Sequence, residues 1–236
     1  MNRKKSIVVF ISGNGSNLQA IIDKIKSGEL DVDIKLVISN KSDAYGLERA
    51  KKAGIPTEVF SFKEFQNKTI SSHRQIDTNN RAEINNKALS ADGQTKDIIR
   101  QRYCAELALL VKKYNPDLVV LAGWMLILKN EFLNEFPMRV INLHPAIIPA
   151  FPGINAIQQA FDFGVKITGV TVHFVPDEGI DTGPIILQEP VKIDENETLE
   201  TLEAKIHSVE HQILSKTIQL FAQERLQIIG RRVKIL

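Results

Sequence analysis

One cysteine, Cys104, stands alone in 236 residues, which excludes an internal disulfide and a cysteine-built zinc site. Its helical surroundings read as those of a plain buried thiol. Charge of one sign is equally scarce: 30 Lys and Arg against 28 Asp and Glu leave a net +2, too little for a nucleic-acid binder. No apolar run approaches a membrane span. The basic start, Met1-Asn2-Arg3-Lys4-Lys5, meets a short apolar run at 7–11 that ends in glycines. That pattern is a first strand and not a signal peptide, so a cytoplasmic protein with no membrane or nucleic-acid partner is expected. Familiar catalytic signatures are missing as well. No Gly-x-Ser-x-Gly elbow occurs, which argues against a serine hydrolase. His207 and His211 lack the glutamate of a His-Glu-x-x-His site, and His73 has no ligand at a suitable spacing, so no metal is expected.

What is present is an ordinary globular composition, 43% hydrophobic and 25% charged, at a length that suits one large domain. Residues 6–11, 33–39, 57–60, 117–122 and 140–143 read as strands, with helical patterns between them. Asp43 is placed to cap the helix that ends near Gly54-Ile55-Pro56, and a long helix is expected over 97–114. This alternation predicts an α/β fold with a mostly parallel twisted sheet and a Rossmann-like N-terminal half. Towards the C-terminus the pattern changes to antiparallel strands at 169–175 and 184–193, a long helix at 198–223, and a closing hairpin. Residues 63–95 are rich in Asn, Ser, Thr, Gln and charge, and read as a polar insertion with short helical pieces within a single domain spanning 1–236.

Two features carry chemistry. The loop Ser12-Gly13-Asn14-Gly15-Ser16-Asn17-Leu18-Gln19 joins the first strand to the first helix, where glycines and free helix-start amides suit an anion. Ser16 or Asn17 is placed to cap that helix. Leu18 stands where a dinucleotide loop has glycine or alanine, so a single phosphate monoester fits better; a tight turn with no ligand is the bland reading. The second feature is Asn142-Leu143-His144-Pro145 followed by Asp181-Thr182-Gly183-Pro184. Asn142 and His144, two apart on a strand, leave the same face. With Asp181 they form an amide, an imidazole and a carboxylate able to polarise a carbonyl and move protons; singly, each also reads as a strand-end or turn residue. Such a group belongs at the carboxyl ends of strands in an open α/β sheet.

These motifs, with Phe151-Pro152-Gly153 between them, occur in the order found in the folate-dependent formyltransferase family, which the chain resembles over nearly its whole length except the polar insertion. The Ser-Gly-x-Gly-Ser-Asn loop resembles the branch acting on glycinamide ribonucleotide. The resemblance implies a purine-synthesis enzyme that moves the formyl group of 10-formyltetrahydrofolate to the glycinamide amine through a tetrahedral intermediate, with no metal. It assigns Asn142 and His144 to the oxyanion, Asp181 to proton acceptance and to holding His144, and Gly15, Ser16 and Asn17 to the substrate phosphate. It further assigns Glu210 to the ribose and glycinamide end, and Met125, Leu126, Ile127, Leu128 and Arg100 to the folate. Monomer and homodimer both stay open.

The chain departs from that pattern in places. Leu126 stands where many relatives have arginine, Asn155 and Ile157 replace histidines found in some, and the loop from His173 to Asp181 is one residue longer. A formyl-folate hydrolase uses the same three residues with water in place of the amine, but is normally longer and has no use for a phosphate loop. A methionyl-tRNA formyltransferase is longer and more basic. A non-catalytic folate- or phosphate-binding protein remains a different class of reading, since fold alone does not fix function.

Overall fold

Residues 7–11 are apolar without alternation because their strand is covered on both faces. The computed structural model describes residues 3–79 and 93–236, with side chains at 3–71 and 96–236. In it β1 (Lys5–Ile11) sends Ile7, Val9 and Ile11 into one core and Val8 and Phe10 into another. The sheet is completed by β2 (Val32–Ser39), β3 (Thr57–Val59), β4 (Leu118–Leu121), β5 (Val140–His144), β6 (Ile167–Phe174), β7 (Ile185–Lys192), β8 (Leu226–Ile229) and β9 (Arg232–Ile235). Their order is β3-β2-β1-β4-β5-β6-β7-β9-β8. Pairing is parallel from β3 to β5 and antiparallel from β5 to β7, so β5 sits where the sheet changes direction. The terminal hairpin of β8 and β9 joins β7 through one pair, Ile185 with Arg232.

Helices cover both faces, as the alternating pattern predicts. α1 (Ser16–Ser27), α2 (Tyr45–Lys52), α6 (Ala156–Phe163) and α7 (Leu199–Ala222) pack on the Ile7 side. On the Phe10 side lie α3 (Phe62–Asn79), α4 (Gly93–Lys112) and α5 (Asn130–Leu133). Thr198 begins α7 with a capping box: its Oγ1 accepts from Thr201 N at 3.2 Å, and Thr201 Oγ1 accepts from Thr198 N at 3.1 Å. Among the described residues no helix is long and apolar enough to cross a membrane.

Three local expectations need correction. Asp43 does not cap α2; Ala44 holds that position, with no side-chain bond. Neither Ser16 nor Asn17 caps α1, because Gly15 occupies the cap in a left-handed conformation at φ 74°. The segment read as a polar insertion from residue 63 opens as an 18-residue helix, α3, and α4 begins at Gly93, before the expected start at Asp97. The first turn of α3 belongs to the core: Tyr103 donates to the Phe60 carbonyl at 2.6 Å, and its ring meets Phe62 and Phe65 edge-on at 5.2 and 5.6 Å. Such ring pairs contribute roughly 0.5–1.5 kcal/mol beyond their buried area, which ties α3 to α4 despite the polar composition that follows. Residues 80–92, and the side chain of His73, lie outside the described residues.

Candidate active site

Because β5 marks the change from parallel to antiparallel pairing, its carboxyl end opens onto a crevice between β4 and the loop after β6. A cavity of about 510 Å³ lies there. Trp124, Leu126, Leu128, Val175 and Ile180 give it apolar walls, and Asn142, His144 and Asp181 meet at one end. The loop after β6 carries Asp181, whose backbone takes a left-handed φ of 53°. Asp181 Oδ1 accepts from Asn142 Nδ2 at 3.3 Å, and Oδ2 lies 3.3 Å from His144 Nδ1. The two strand residues and the distant carboxylate are one hydrogen-bonded cluster.

The Phe151-Pro152-Gly153 motif supplies the backbone of that cluster. His144 Nε2 donates to the Phe151 carbonyl at 2.9 Å, and the Gly153 amide donates to Asp181 Oδ2 at 2.8 Å. A carbonyl only accepts, so the Nε2 proton is fixed and Nδ1 is the nitrogen that titrates. His144 is 3% exposed. Burial pulls its pKa below the ordinary imidazole value, against the opposing pull of Asp181 and the Phe151 carbonyl. Burial alone would raise the Asp181 carboxyl. The N–H groups of His173 and Gly153, with the charge of His144, outweigh it and hold the group below the usual carboxylate range.

His173 is a fourth member that the sequence reading used only as a landmark. It is paired with Asn142 across β5 and β6, and its Nδ1 donates to the Phe174 carbonyl at 2.8 Å. Nε2 then stands 3.3 Å from Asn142 Nδ2 and 3.5 Å from Asp181 Oδ1. A neutral His173 accepts from Asn142; a protonated one donates to Asp181. The signal was available: Thr171 and His173 repeat on β6 the polar two-residue spacing of Asn142 and His144 on β5.

The glycine loop is gripped from two sides. Gly46, in α2, donates to the Gly13 carbonyl at 3.1 Å, and the backbones touch so closely that a Cβ on Gly15 would lie 2.6 Å from Gly46 Cα. From α7, Glu210 accepts from Asn17 Nδ2 at 3.1 Å and from His207 Nδ1 at 2.8 Å on the same oxygen, Oε2. Glu210 is 5% exposed, and its carboxylate raises the pKa of His207. Asn17 and Glu210, expected to touch opposite ends of a substrate, are thus bonded to each other. Gln19 N is bonded back to Gly15 O at 2.9 Å, and Ser16 beside it is half-buried. The α1 amides ahead of Gln19 precede the first turn and have no carbonyl behind them.

Met125, Leu126, Ile127 and Leu128 all line the cavity, and Met125 N donates to Ser12 Oγ at 3.0 Å, joining that wall to the glycine loop. Arg100 does not line it: its guanidinium lies 4.9 Å over the Phe62 ring. Lys129 follows Leu128 and is joined to Glu178, both of which line the cavity. Its Nζ pairs with Asp97 Oδ1 and with Glu178 Oε2, each at 2.7 Å, while Glu178 Oε1 accepts from Asn130 N at 3.0 Å. Glu178 is in the loop after β6, so this cluster holds that loop against α5. The buried Cys104 takes part through Sγ, accepting from Lys129 N at 3.3 Å, and burial pushes its thiol up to about 11, which marks it as structural. Among the described residues no three His, Cys, Asp or Glu side chains gather to hold a metal ion.

Comparison with known proteins agrees with this geometry. The family model described as formyl transferase matches residues 5–218. A phosphoribosylglycinamide formyltransferase of Dictyostelium discoideum is 43% identical over 227 residues, 92% of this chain and 98% of that protein. The crystal structure of glycinamide ribonucleotide transformylase 1 from Symbiobacterium toebii superposes with a TM-score of 0.80 at 39% identity, covering 100% of this chain and 96% of that one. A formyltetrahydrofolate deformylase from Pseudomonas syringae follows at a TM-score of 0.78 and 26% identity, covering 99% of this chain but 66% of that one. From one end of the parallel sheet to the long C-terminal helix, the chain belongs to the formyl transferase family.

Proposed function

We infer that this protein is a phosphoribosylglycinamide formyltransferase, which transfers the formyl group of 10-formyltetrahydrofolate to the amine of glycinamide ribonucleotide in purine biosynthesis. The observation that carries the reading is the contact of Asp181 with both His144 and Asn142 at one end of an apolar cavity. The folate ring system lies along Met125, Leu126, Ile127 and Leu128, and the substrate phosphate on Gly15, Ser16 and Asn17. Glu210 faces the ribose and glycinamide end.

The amine attacks the formyl carbon, giving an adduct with a negative oxygen and a positive nitrogen. Asp181, ionised, takes a proton from that nitrogen. His144 Nδ1, facing the same carboxylate oxygen, takes the proton up and becomes a donor as the oxyanion charge develops. Asn142 is the second donor; its present contacts are long, and an oxyanion is a stronger acceptor than either. The adduct then collapses, the bond to the folate nitrogen breaks, and that nitrogen leaves with a proton returned from the His144–Asp181 pair. No covalent enzyme intermediate is needed.

Residues 1–236 act as one domain. A cytoplasmic location fits a biosynthetic enzyme of this kind. The second reading, a formyl-folate hydrolase, is favoured by the likeness to the deformylase. The glycine loop and the one-third of that longer protein left unmatched stand against it.

Assaying the protein with 10-formyltetrahydrofolate, with and without glycinamide ribonucleotide, tests the inference. Turnover that requires the ribonucleotide is expected; equal turnover without it would establish the hydrolase. Trp124, the single tryptophan of the chain, lines the cavity, so its fluorescence reports folate binding separately from chemistry. A fluorescence change with no turnover under either condition would leave a binding module.

A further inference from the structure

We propose that Arg49 is the positioning residue for the phosphate monoester of the substrate, acting through the glycine loop; the proposal rests on the phosphate reading of that loop. Three hydrogen bonds, a ring contact and a close helix approach converge on it. Nε of Arg49 donates to the Asn14 carbonyl at 2.9 Å, Nη2 to Asn14 Oδ1 at 2.9 Å, and Nη1 to Gln19 Oε1 at 3.3 Å. The planar guanidinium thereby spans the loop and the first turn of α1 in one piece. Its other face lies 4.8 Å from the ring centroid of Tyr45, which fixes its plane. The helix that carries it is itself pressed on the loop: a Cβ at Gly46 would fall 2.5 Å from Ile11 Cδ1 and 3.2 Å from Gly15 Cα.

The electrostatics matter as much as the geometry. Every one of these partners is a neutral oxygen or a ring, and among the described residues Arg49 forms no ion pair. Its neighbour Glu48 is occupied with Lys51. A full positive charge is therefore held beside the α1 amides with no carboxylate to cancel it. A dianionic phosphate gains from that charge directly, and gains again because the loop is already ordered. An anion that had to order three loop residues itself would bind more weakly. Arginine is the residue suited to this, since lysine supplies the charge without the fork.

The test uses two variants and two amine substrates, glycinamide ribonucleotide and its dephosphorylated ribonucleoside. Arg49→Met is expected to raise KM for the ribonucleotide roughly tenfold or more, with kcat and KM for 10-formyltetrahydrofolate within about twofold. Arg49→Lys is expected to fall between the two proteins. The ribonucleoside, already poor, is expected to react equally well with all three. An unchanged ribonucleotide KM in a folded variant overturns the proposal, as does a rise of equal size for both substrates, which is what a merely structural role predicts. If circular dichroism shows Arg49→Met unfolded, Arg49→Lys carries the decision on the same terms. Should the wild-type protein itself fail to prefer the ribonucleotide, the phosphate reading of the loop fails and the role of Arg49 with it.

Discussion

Oδ2 of Asp181 lies 3.3 Å from Nδ1 of His144, with both side chains almost wholly out of water. The Phe151 carbonyl has already claimed the proton on Nε2, so this contact is where the pair gains or loses one. The carboxylate has two functions there, as proton acceptor and as counter-charge to the ring. Asp181→Asn removes both and is expected to lower kcat by roughly 10²-fold or more, with the fold intact by circular dichroism. Turnover near that of the wild type would end the role given to Asp181.

The same pair sets a pH dependence with a definite sign. Burial moves His144 below its ordinary value of 6.5, and Asp181 opposes that shift. By histidine NMR, His144 is therefore expected to titrate below 6.5, and lower still in Asp181→Asn. His207, raised by Glu210, is expected above 6.5 and to fall in Glu210→Gln. In stability the two act oppositely. The contribution of His144 is present above 6.5 and is lost as pH falls through its folded value. That of His207 is present below 6.5 and is lost as pH rises through its folded value.

His173 touches the cavity chiefly through what it orients. Removing it takes one partner from Asn142 Nδ2 and one from Asp181 Oδ1, leaving them bonded only to each other at that edge. His173→Ala is expected to reduce kcat by about tenfold or more while KM for glycinamide ribonucleotide stays close to the wild-type value. A rise in KM alone would place His173 in substrate binding instead.

Lys129 gives a prediction confined to the folate. Asp97 and Glu178 raise its pKa, and Lys129 in turn lowers that of Glu178. Lys129→Met releases Glu178 and the loop it anchors. KM for 10-formyltetrahydrofolate is expected to rise several-fold, with KM for glycinamide ribonucleotide unmoved. Glu178→Gln should act in the same direction, and the double variant should add little to either single one. Additive effects would mean that the two residues act independently.

The parts of this molecule legible in its sequence are those governed by local pattern. The doubly covered β1 and the Thr198 start of α7 follow from side-chain spacing alone, and so does the shared face of Asn142 and His144. What escaped is held by partners far away in the chain. Nothing near Gly13 announces Gly46 or Arg49, because their meeting depends on how α2 docks. Phe151 acts through its carbonyl, which any residue possesses, so only its left-handed φ of 52° marks it. The polar composition after residue 63 was a true signal assigned too broadly: Phe62 and Phe65, at its edge, are core residues of α3. Arg100, given to the folate by resemblance, lies over the Phe62 ring and outside the cavity lining, a placement its sequence position does not announce.

The bond from Asn17 to Glu210 joins positions 193 residues apart. During synthesis the glycine loop leaves the ribosome long before its clamp, which follows 193 residues later. Domains form from the N-terminus onward as they emerge, so a nascent chain can assemble β1 to β5 long before the loop has its α7 partner. A chain that stops before Glu210 leaves the glycine loop without that clamp.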